Sequence, residues 1–374
     1  MQFRKLGSTG LDVGVIGLGT EYLNGQPREA VVSVVREAIA RGVNYLDVLF
    51  SLPEYLDNLG AALQGCRERV ILTGHLGSAV KDDQYCKTRS VRNGETAFQR
   101  VLSRLGTDYV DVLFLHNCDS QKEYERLTGP DGLLDLAVRL RQEGKAHFIG
   151  FSGHTVSTAQ QAVESGQVDV LMFPINIAAN AVPGKKDLFR VCVAHGVGLV
   201  AMKPFAGGKL LQKERTVRVA RYQMGGDALK LKKSAPITPV QCLSYVLAQV
   251  GVSTAVPGCQ DVTQLEAALA YLEAPEEARD FSGLLSDFQE YVAGECVYCN
   301  HCLPCPANID VGQVNRLVDA AQGGVSEVLQ AAYDALPVRA SACIECGVCV
   351  ERCPFGVDVI SKIRQAVVLF EGEG

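Results

Sequence analysis

The sequence lacks the features of exported, membrane-spanning and nucleic-acid-binding proteins. Its N-terminus, MQFRKLGSTGLDVGVIG, has no apolar run followed by a small-residue cleavage site, and no later segment is apolar over the length of a membrane span. Basic residues are not in excess, since 36 Lys and Arg face 42 Asp and Glu for a net charge of -6. Binding to phosphates needs clustered Lys and Arg. We therefore expect a cytoplasmic protein that binds neither a membrane nor a nucleic acid.

The length and composition predict two unequal domains. The chain has 374 residues, of which 47% are hydrophobic and 21% charged. This suits one domain of about 250 to 300 residues and a smaller second one. We place the first domain at residues 1–285 and the second at residues 286–374.

Eight short apolar runs alternate with amphipathic helical segments as far as about residue 275, and they predict strands. The runs are apolar throughout instead of alternating, as expected for strands covered on both faces. Their predicted bounds are 13–19, 44–50, 70–75, 109–116, 148–152, 168–176, 197–203 and 253–257. Eight such units favour a closed (β/α)8 TIM barrel, an α/β fold whose active site lies among the loops after the strands. The rival fold, a doubly wound open sheet, lacks its best marker because no third glycine follows Gly17 and Gly19 in a GxGxxG turn.

Two segments interrupt this alternation. Residues 206–237 are rich in Gly and Lys with weak periodicity, which predicts a long loop acting as a lid or cofactor clamp. Residues 273–285, EAPEEARDFSGLL, are expected to link the two domains. We find no internal repeat beyond the strand–helix unit.

Eight of the fourteen cysteines fall in two compact groups near the C-terminus. The groups are Cys296-x2-Cys299-x2-Cys302-x2-Cys305-Pro306 and Cys343-x2-Cys346-x2-Cys349-x3-Cys353-Pro354. The second has the spacing of a bacterial ferredoxin, and the first is one residue short between its third and fourth cysteines. Structural zinc sites also use CxxC pairs, but two four-cysteine runs each closed by Pro favour iron and sulfur. We predict a small ferredoxin-like domain holding two 4Fe-4S clusters.

The second domain carries most of the excess negative charge. From residue 291 to the end, ten acids face five bases, a net of -5. Clusters bound by thiolates add negative charge, so a redox protein partner docking here is expected to be basic at its contact face.

The first domain resembles the aldo-keto reductase family. The resemblance rests on FRKLGSTGLDVGVIGLGT, GVNYLD, DYVDVLFLH, IGFSGH, GLVAMKPFAGG and VPGCQDVTQLEAAL, in that order. Together with the cysteine groups, the chain resembles the subgroup that bears a C-terminal ferredoxin-type 4Fe-4S domain. This resemblance implies reduction of a small carbonyl compound with a nicotinamide cofactor, NADP or NAD. It also implies that one cluster takes three ligands from the first cysteine group plus Cys353, and the other takes three from the second group plus Cys305.

The catalytic tetrad of that family is Asp, Tyr, Lys and His, and the resemblance places only two of the four. The Asp is Asp47 and the His is His116. By spacing, Leu52 stands where the family has Tyr, and Gly74 stands where it has Lys. Loss of the tyrosine proton donor implies weak reduction of simple aldehydes.

Two nearby residues are candidates to replace the missing groups. Tyr55 lies three residues beyond Leu52, and His75 follows Gly74 directly. Tyr55 moved inward could give the proton, with His75 or His116 stabilising the phenolate. Alternatively, Tyr55 is a surface residue of the second helix, His75 caps a strand, and Asp47 and His116 are hydrogen-bonding scaffold only.

The resemblance also implies nicotinamide-binding residues. Those carried over are Ser152, Asn176, Lys203, Pro204, Gly207, Gly208, Gly258, Gln264 and Glu266. The basic residue that holds the 2'-phosphate of NADP in the family is Gln260 here. The sequence therefore leaves open which nicotinamide binds, or whether one binds.

Three functions remain open on the sequence alone. The first is an oxidoreductase acting on a small carbonyl or related compound, with electrons passing through the clusters. The second is acid–base chemistry without hydride transfer, such as elimination, isomerisation or reductive cleavage. The third is an electron-transfer subunit whose barrel binds a partner.

Overall fold

The structure is a computed structural model of the whole chain. It describes residues 1–82, 84–178, 184–213, 216–219, 229–232, 236–286, 296, 302–321, 324–353 and 356–372, without side chains for 216–219, 229–232, 285 and 286. Cys299 and Pro354 of the cysteine groups lie outside the described residues.

The eight predicted strands form one parallel sheet that closes on itself. A hairpin of β1 (Phe3–Lys5) and β2 (Asp12–Gly14) comes before them. The sheet consists of β3 (Leu18–Gly19), β4 (Tyr45–Asp47), β5 (Ile71–Leu76), β8 (Val110–Leu115), β9 (Ala146–Ser152), β10 (Val170–Pro174), β11 (Gly198–Met202) and β14 (Val252–Val256). Parallel bridges from Ile16 to Ala255 and from Gly19 to Gly258 join its two ends. The TIM-barrel prediction is confirmed, and the open-sheet alternative is wrong.

Two hydrophobic clusters hold the barrel together. Side chains from the strands and the N-terminal hairpin fill the interior: Leu6, Val13, Tyr45, Ile71, Val112, Phe114, Val170, Met172, Val200 and Val256. A larger cluster lies between the strands and the surrounding helices. Because neither side of the sheet faces water, the strands are apolar throughout, which explains the sequence pattern.

Helices follow the strands around the barrel. They are α1 (Arg28–Ala40), α2 (Pro53–Leu63), α3 (Val91–Leu105), α4 (Gln121–Thr128), α5 (Leu133–Gln142), α6 (Val156–Glu164), α7 (Lys185–Ala194), α8 (Pro239–Ala248), α9 (Val262–Leu269), α10 (Glu276–Arg279) and α11 (Ser282–Ser286). Their ends match local sequence signals: Ser90 caps α3, which stops at Gly106 with φ 66°, and Thr238 and Gln241 form a capping box on α8. The last two helices occupy the predicted linker, where Phe281 packs edge-on against Tyr245 of the barrel.

Two hairpins are inserted into the barrel. Strands β6 (Ser78–Lys81) and β7 (Gln84–Lys87) extend directly from the end of β5. Strands β12 (Thr216–Val219) and β13 (Leu229–Lys232) pair inside the segment that the sequence predicts as an irregular loop. The first hairpin bears on the site, because it begins at the end of a barrel strand.

The C-terminal domain contains an internal repeat. Its helices are α12 (Val311–Ala320), α13 (Glu327–Asp334), α14 (Val348–Glu351) and α15 (Val359–Ala366). Asp310 and Asp358 cap α12 and α15 with the same backbone angles, φ -74° and ψ 82°, five residues after Cys305 and Cys353. The expectation of no further repeat was therefore wrong. The repeat is visible in the sequence as the similarity between CPANIDV, which begins at Cys305, and CPFGVDV, which begins at Cys353.

The C-terminal domain packs on the barrel through α12 and α7. Asp319 of α12 is only 4% exposed, forms a close ion pair with Lys362 of α15, and lies 3.7 Å from Arg190 of α7. One buried carboxylate thus joins the two domains.

Candidate active site and cluster domain

A chain of hydrogen bonds crosses the mouth of the barrel. Asp47 Oδ1 lies 2.9 Å from His75 Nε2, and His75 Nδ1 lies 3.1 Å from His116 Nδ1. His116 Nε2 is 2.6 Å from the hydroxyl of Tyr85, which comes from the β6–β7 hairpin. Asp47, His75 and His116 are buried, whereas Tyr85 is 38% exposed. The chain therefore runs from a buried carboxylate to a phenol that solvent and substrate can reach.

The Asp47 carboxylate fixes the first bond of this chain, because a carboxylate only accepts and His75 Nε2 must donate to it. The other bonds follow for the tautomer of His75 that carries its single proton on Nε2 and accepts at Nδ1. His116 must then donate from Nδ1 and accept at Nε2, and Tyr85 donates to it. Burial and the neighbouring His75 ring lower the pKa of His116 well below its ordinary value, which keeps this ring neutral.

Thr73 and Thr20 support the buried end of the chain. Thr73 Oγ1 donates to Asp47 Oδ1 at 2.7 Å, and Thr20 Oγ1 donates to the Asp47 carbonyl at 2.6 Å. The Tyr55 hydroxyl is hydrogen-bonded to Thr20. Burial raises the pKa of Tyr55, which is 2% exposed. Tyr55 is therefore neither a helix surface residue nor a member of the chain that reaches Tyr85.

The structure changes which residue of β5 corresponds to the lysine position of the family, which the sequence spacing placed at Gly74. A Cβ at Gly74 would lie 3.4 Å from Val110 and 3.6 Å from Phe98, two residues of the barrel wall and its helices. Gly74 thus faces away from the site, and a lysine there could not reach Asp47. The inward position belongs to His75, while Leu52 precedes α2 and packs on the core.

A second polar cluster lies close to the first. Asp119 Oδ2 is 3.0 Å from His154 Nδ1, and His154 Nε2 is 2.9 Å from Lys203 Nζ. Burial lowers the pKa of Lys203 and raises the pKa of Glu21, and the two side chains attract each other. Glu21 also interacts electrostatically with Asp47 and so lies close to both clusters.

The residues carried over for a nicotinamide lie around the same mouth. Ser152 Oγ accepts from the Asn117 N–H at 3.0 Å, and Asn176 Nδ2 donates to the Lys203 carbonyl at 2.9 Å. Pro204 is buried in the next turn. These polar groups hold the strand ends in place even without a bound nucleotide.

Tyr22 lies between Gly207 and Gly258, two of the glycines that the resemblance assigns to nucleotide binding. Gly207 and Gly208 are exposed, with φ 67° and 81°. A Cβ on Gly258 would lie 2.2 Å from the Tyr22 ring, and one on Gly207 would lie 3.7 Å from the Tyr22 hydroxyl. Tyr22 is 40% exposed. Its ring therefore lies over the backbone of Gly258 and close to Gly207 at the surface of the barrel.

Gln264 and Glu266 are exposed on α9. The Gln264 side chain accepts from the backbone N–H of Gln260 at 3.1 Å. No Lys or Arg occurs in the sequence of this turn, Gly258-Cys-Gln260-Asp261.

Five of the seven described cysteines of the C-terminal domain line a recess. Its walls are Cys302, Cys305, Pro306, Ala307, Ile309, Val311, Cys343, Ile344, Cys346, Cys349, Ile360 and Ile363. All four residues of one implied ligand set, Cys305, Cys343, Cys346 and Cys349, therefore face one space. Soft sulfur donors in an apolar wall fit an iron–sulfur cubane.

Cys296 of the first cysteine group lies near helix α7 of the barrel. Cys296 Sγ accepts from Asn315 Nδ2 at 3.3 Å. Lys186 of α7 interacts electrostatically with Cys296 and Asp319, and burial lowers the pKa of Lys186 to about 8. Hydrogen bonds to sulfur and nearby charge are the means by which proteins tune clusters.

Comparison with known proteins agrees with both halves of this architecture. Residues 13–284 match the Aldo/keto reductase family, and residues 295–358 match a 4Fe-4S dicluster domain. The uncharacterized oxidoreductase YqkF of Bacillus subtilis is 26% identical over 282 residues, covering 71% of this chain and 89% of that protein. L-galactose dehydrogenase of Arabidopsis thaliana is 28% identical over 303 residues, covering 73% and 90%. An aldo-keto reductase of Bacillus halodurans in its holo form superposes with a TM-score of 0.62 at 23% identity, over 78% of this chain and 96% of that one.

The chain is therefore an oxidoreductase with a TIM barrel. It belongs to the aldo/keto reductase family and carries a C-terminal 4Fe-4S dicluster domain. No helix among the described residues is long and apolar enough to cross a membrane.

Proposed function

We propose that this enzyme interconverts a small alcohol and its carbonyl compound at the barrel mouth, with Tyr85 as the proton-transfer group. The observation that carries the proposal is the hydrogen-bond chain from Tyr85 through His116 and His75 to Asp47. Tyr85 replaces the tyrosine that Leu52 cannot supply, and His75 takes the place of the missing lysine beside Asp47. The name of one relative, L-galactose dehydrogenase, supports a hydroxylated substrate.

The direction of the hydrogen bonds defines the proton path. As a substrate alcohol loses hydride, its hydroxyl proton passes to Tyr85 Oη and the Tyr85 proton passes to His116 Nε2. The proton on His116 Nδ1 then moves to His75 Nδ1. His75 becomes an imidazolium beside the Asp47 carboxylate, which stabilises it. Carbonyl reduction runs along the same path in reverse.

A nicotinamide nucleotide, when bound, takes or supplies the hydride. Ser152 and Asn176 would hold its ring end, with Lys203 beside it, and the backbone of Gly207 and Gly208 would approach its phosphates. Because Gln260 stands where the family often has a basic residue, we propose NAD in preference to NADP.

In the C-terminal domain we propose two 4Fe-4S clusters that pass single electrons. One would be held by Cys296, Cys299, Cys302 and Cys353, and the other by Cys305, Cys343, Cys346 and Cys349. The recess lined by the second set supports this division. The contact of Cys296 with α7 supports a position of the first cluster next to the barrel.

Acid–base chemistry without hydride transfer is the second candidate. The observation that favours it is Tyr22, whose ring bridges the groove that a nucleotide would use. The Tyr85 chain could equally remove a proton in an elimination or isomerisation.

Titration of the anaerobic holoprotein separates the two. We expect NADH to show a fluorescence change on binding, and NAD to support oxidation of members of a panel of small alcohols and aldoses. Absence of both signals, combined with dehydration or isomerisation of the same compounds, would replace hydride transfer by the second candidate.

A further inference from the structure

The two proposed clusters have different surroundings. Cys296 of the first group lies near Lys186 on the barrel helix α7. In the second group, Cys346 is exposed. Cys346 is the one exposed cysteine among the described residues, so the proposed second ligand set reaches the surface.

Exposed apolar side chains occur close to this cysteine in the sequence. Seven large apolar or aromatic side chains are well exposed in the described residues, and four belong to the C-terminal domain: Val328, Ile344, Val350 and Val368. Two of these lie beside ligands of the second cluster. Ile344 is 66% exposed between Cys343 and Cys346, and Val350 is 38% exposed directly after Cys349.

Charged residues lie around this patch. From residue 340 to residue 364 three acids face three bases, and one of these bases, Lys362, is paired with Asp319. Arg364 neutralises Glu345 through two contacts of 2.6 and 2.7 Å, whereas Glu351 and Asp358 are exposed. A cubane held by four thiolates adds further negative charge. An apolar centre with a charged rim is typical of the small interfaces through which redox proteins meet.

We propose that the surface formed by Ile344, Cys346 and Val350 is the docking site of a one-electron carrier protein with a basic contact face. The carrier exchanges one electron with the second cluster, so one centre is oxidised as the other is reduced, and no bond is made or broken. This inference rests on the proposed two-cluster assignment but not on the barrel chemistry.

The test compares Ile344→Lys with Val328→Lys in anaerobic, dithionite-reduced holoprotein. Val328 is 78% exposed on α13 and gives the same charge change away from the cysteines. Cytochrome c serves as the basic carrier and flavodoxin as the acidic one, and iron content is checked first. We expect Ile344→Lys to slow reduction of cytochrome c at least tenfold at low salt, with the wild-type and Val328→Lys rates alike. Oxidation by benzoquinone should be equal in all three.

Hydrogen exchange gives a readout that is independent of electron transfer and of the variants. Oxidised cytochrome c added to oxidised wild-type protein should protect residues 340–352. Equal rates for the two variants, protection elsewhere, or faster reaction with flavodoxin than with cytochrome c would overturn the proposal. Failure of the barrel to oxidise any alcohol would leave this result unaffected, whereas iron near four per chain would remove its basis.

Discussion

The Tyr85 hydroxyl lies 2.6 Å from His116 Nε2, although the tyrosine belongs to an inserted hairpin and the histidine follows a barrel strand. Phe50 packs edge-on against the Tyr85 ring, with centroids 5.2 Å apart. This contact and the hydrogen bond hold the phenol over the barrel mouth. Tyr85 thus occupies the position that the proposed proton path requires of its donor.

The pH dependence of catalysis should reflect the lowered pKa of His116. Burial and His75 disfavour its charged form, so His116 remains a proton acceptor below the ordinary histidine value of about 6.5. We expect kcat/KM for alcohol oxidation to show no acid limb until the pH is below that value. An acid limb centred above pH 7 would contradict the proton path.

The same shift predicts a pH-dependent stability. In the unfolded chain His116 becomes protonated near pH 6.5, whereas in the folded protein its lowered pKa keeps it neutral at that pH. His116 therefore lowers the free energy of unfolding as the pH falls from about 6.5 to the pKa of His116 in the folded protein. The effect is about 1.4 kcal/mol per pH unit for one proton. We expect the melting temperature of His116→Asn, by circular dichroism, to gain on wild type between pH 7.5 and 5.5. His147→Asn, at an exposed histidine outside the hydrogen-bond chain, is the matched control.

Asp319→Asn should loosen the contact between the domains. It leaves Lys362 and Arg190 without their shared carboxylate at a site only 4% exposed, where loss of one partner costs about 3 to 5 kcal/mol. We expect limited proteolysis to release the C-terminal domain faster. Asp334→Asn removes an exposed pair with Arg339 and should change little. Equal protease resistance of Asp319→Asn and wild type would show that the Asp319 carboxylate does not hold the two domains together.

Anaerobically purified protein should contain about eight irons per chain, since two sets of four cysteines each suit a cubane. Cys346→Ser should lower the iron content and make residues 286–374 protease-sensitive, because a domain of this size depends on its metal for stability. Zinc in place of iron, or unchanged protease resistance without clusters, would refute this.

Periodicity was enough to predict the barrel, because each strand is buried on both sides and carries an unbroken apolar run. The cysteine spacing likewise predicted the cluster domain, since the ligands are local in sequence. The structure of the loops was harder to predict. Residues 206–237 contain a hairpin, and no local sequence pattern indicates that its two strands pair.

The site was only partly predictable. Asp47 ends a barrel strand and His116 follows one, and family motifs locate both; His75 lies in a strand, next to the position that the family spacing indicated. No sequence motif identifies Tyr85. The hairpin that carries it is indicated only by the alternation of apolar and polar residues in SAVKDDQYCK, directly after β5. The register error at Gly74 arose because spacing alone does not say which face of a strand a residue occupies, and Tyr55 was misjudged because its partner, Thr20, is distant in sequence.

The most direct test compares turnover of Tyr85→Phe, His116→Ala and Tyr55→Phe with wild type on the alcohol that the panel identifies. General acid–base catalysis is worth roughly 10² to 10⁴ in rate. We predict a loss of this size for Tyr85→Phe and His116→Ala, and a change of no more than a few-fold for Tyr55→Phe. Full activity in Tyr85→Phe together with its disappearance in Tyr55→Phe would contradict the account.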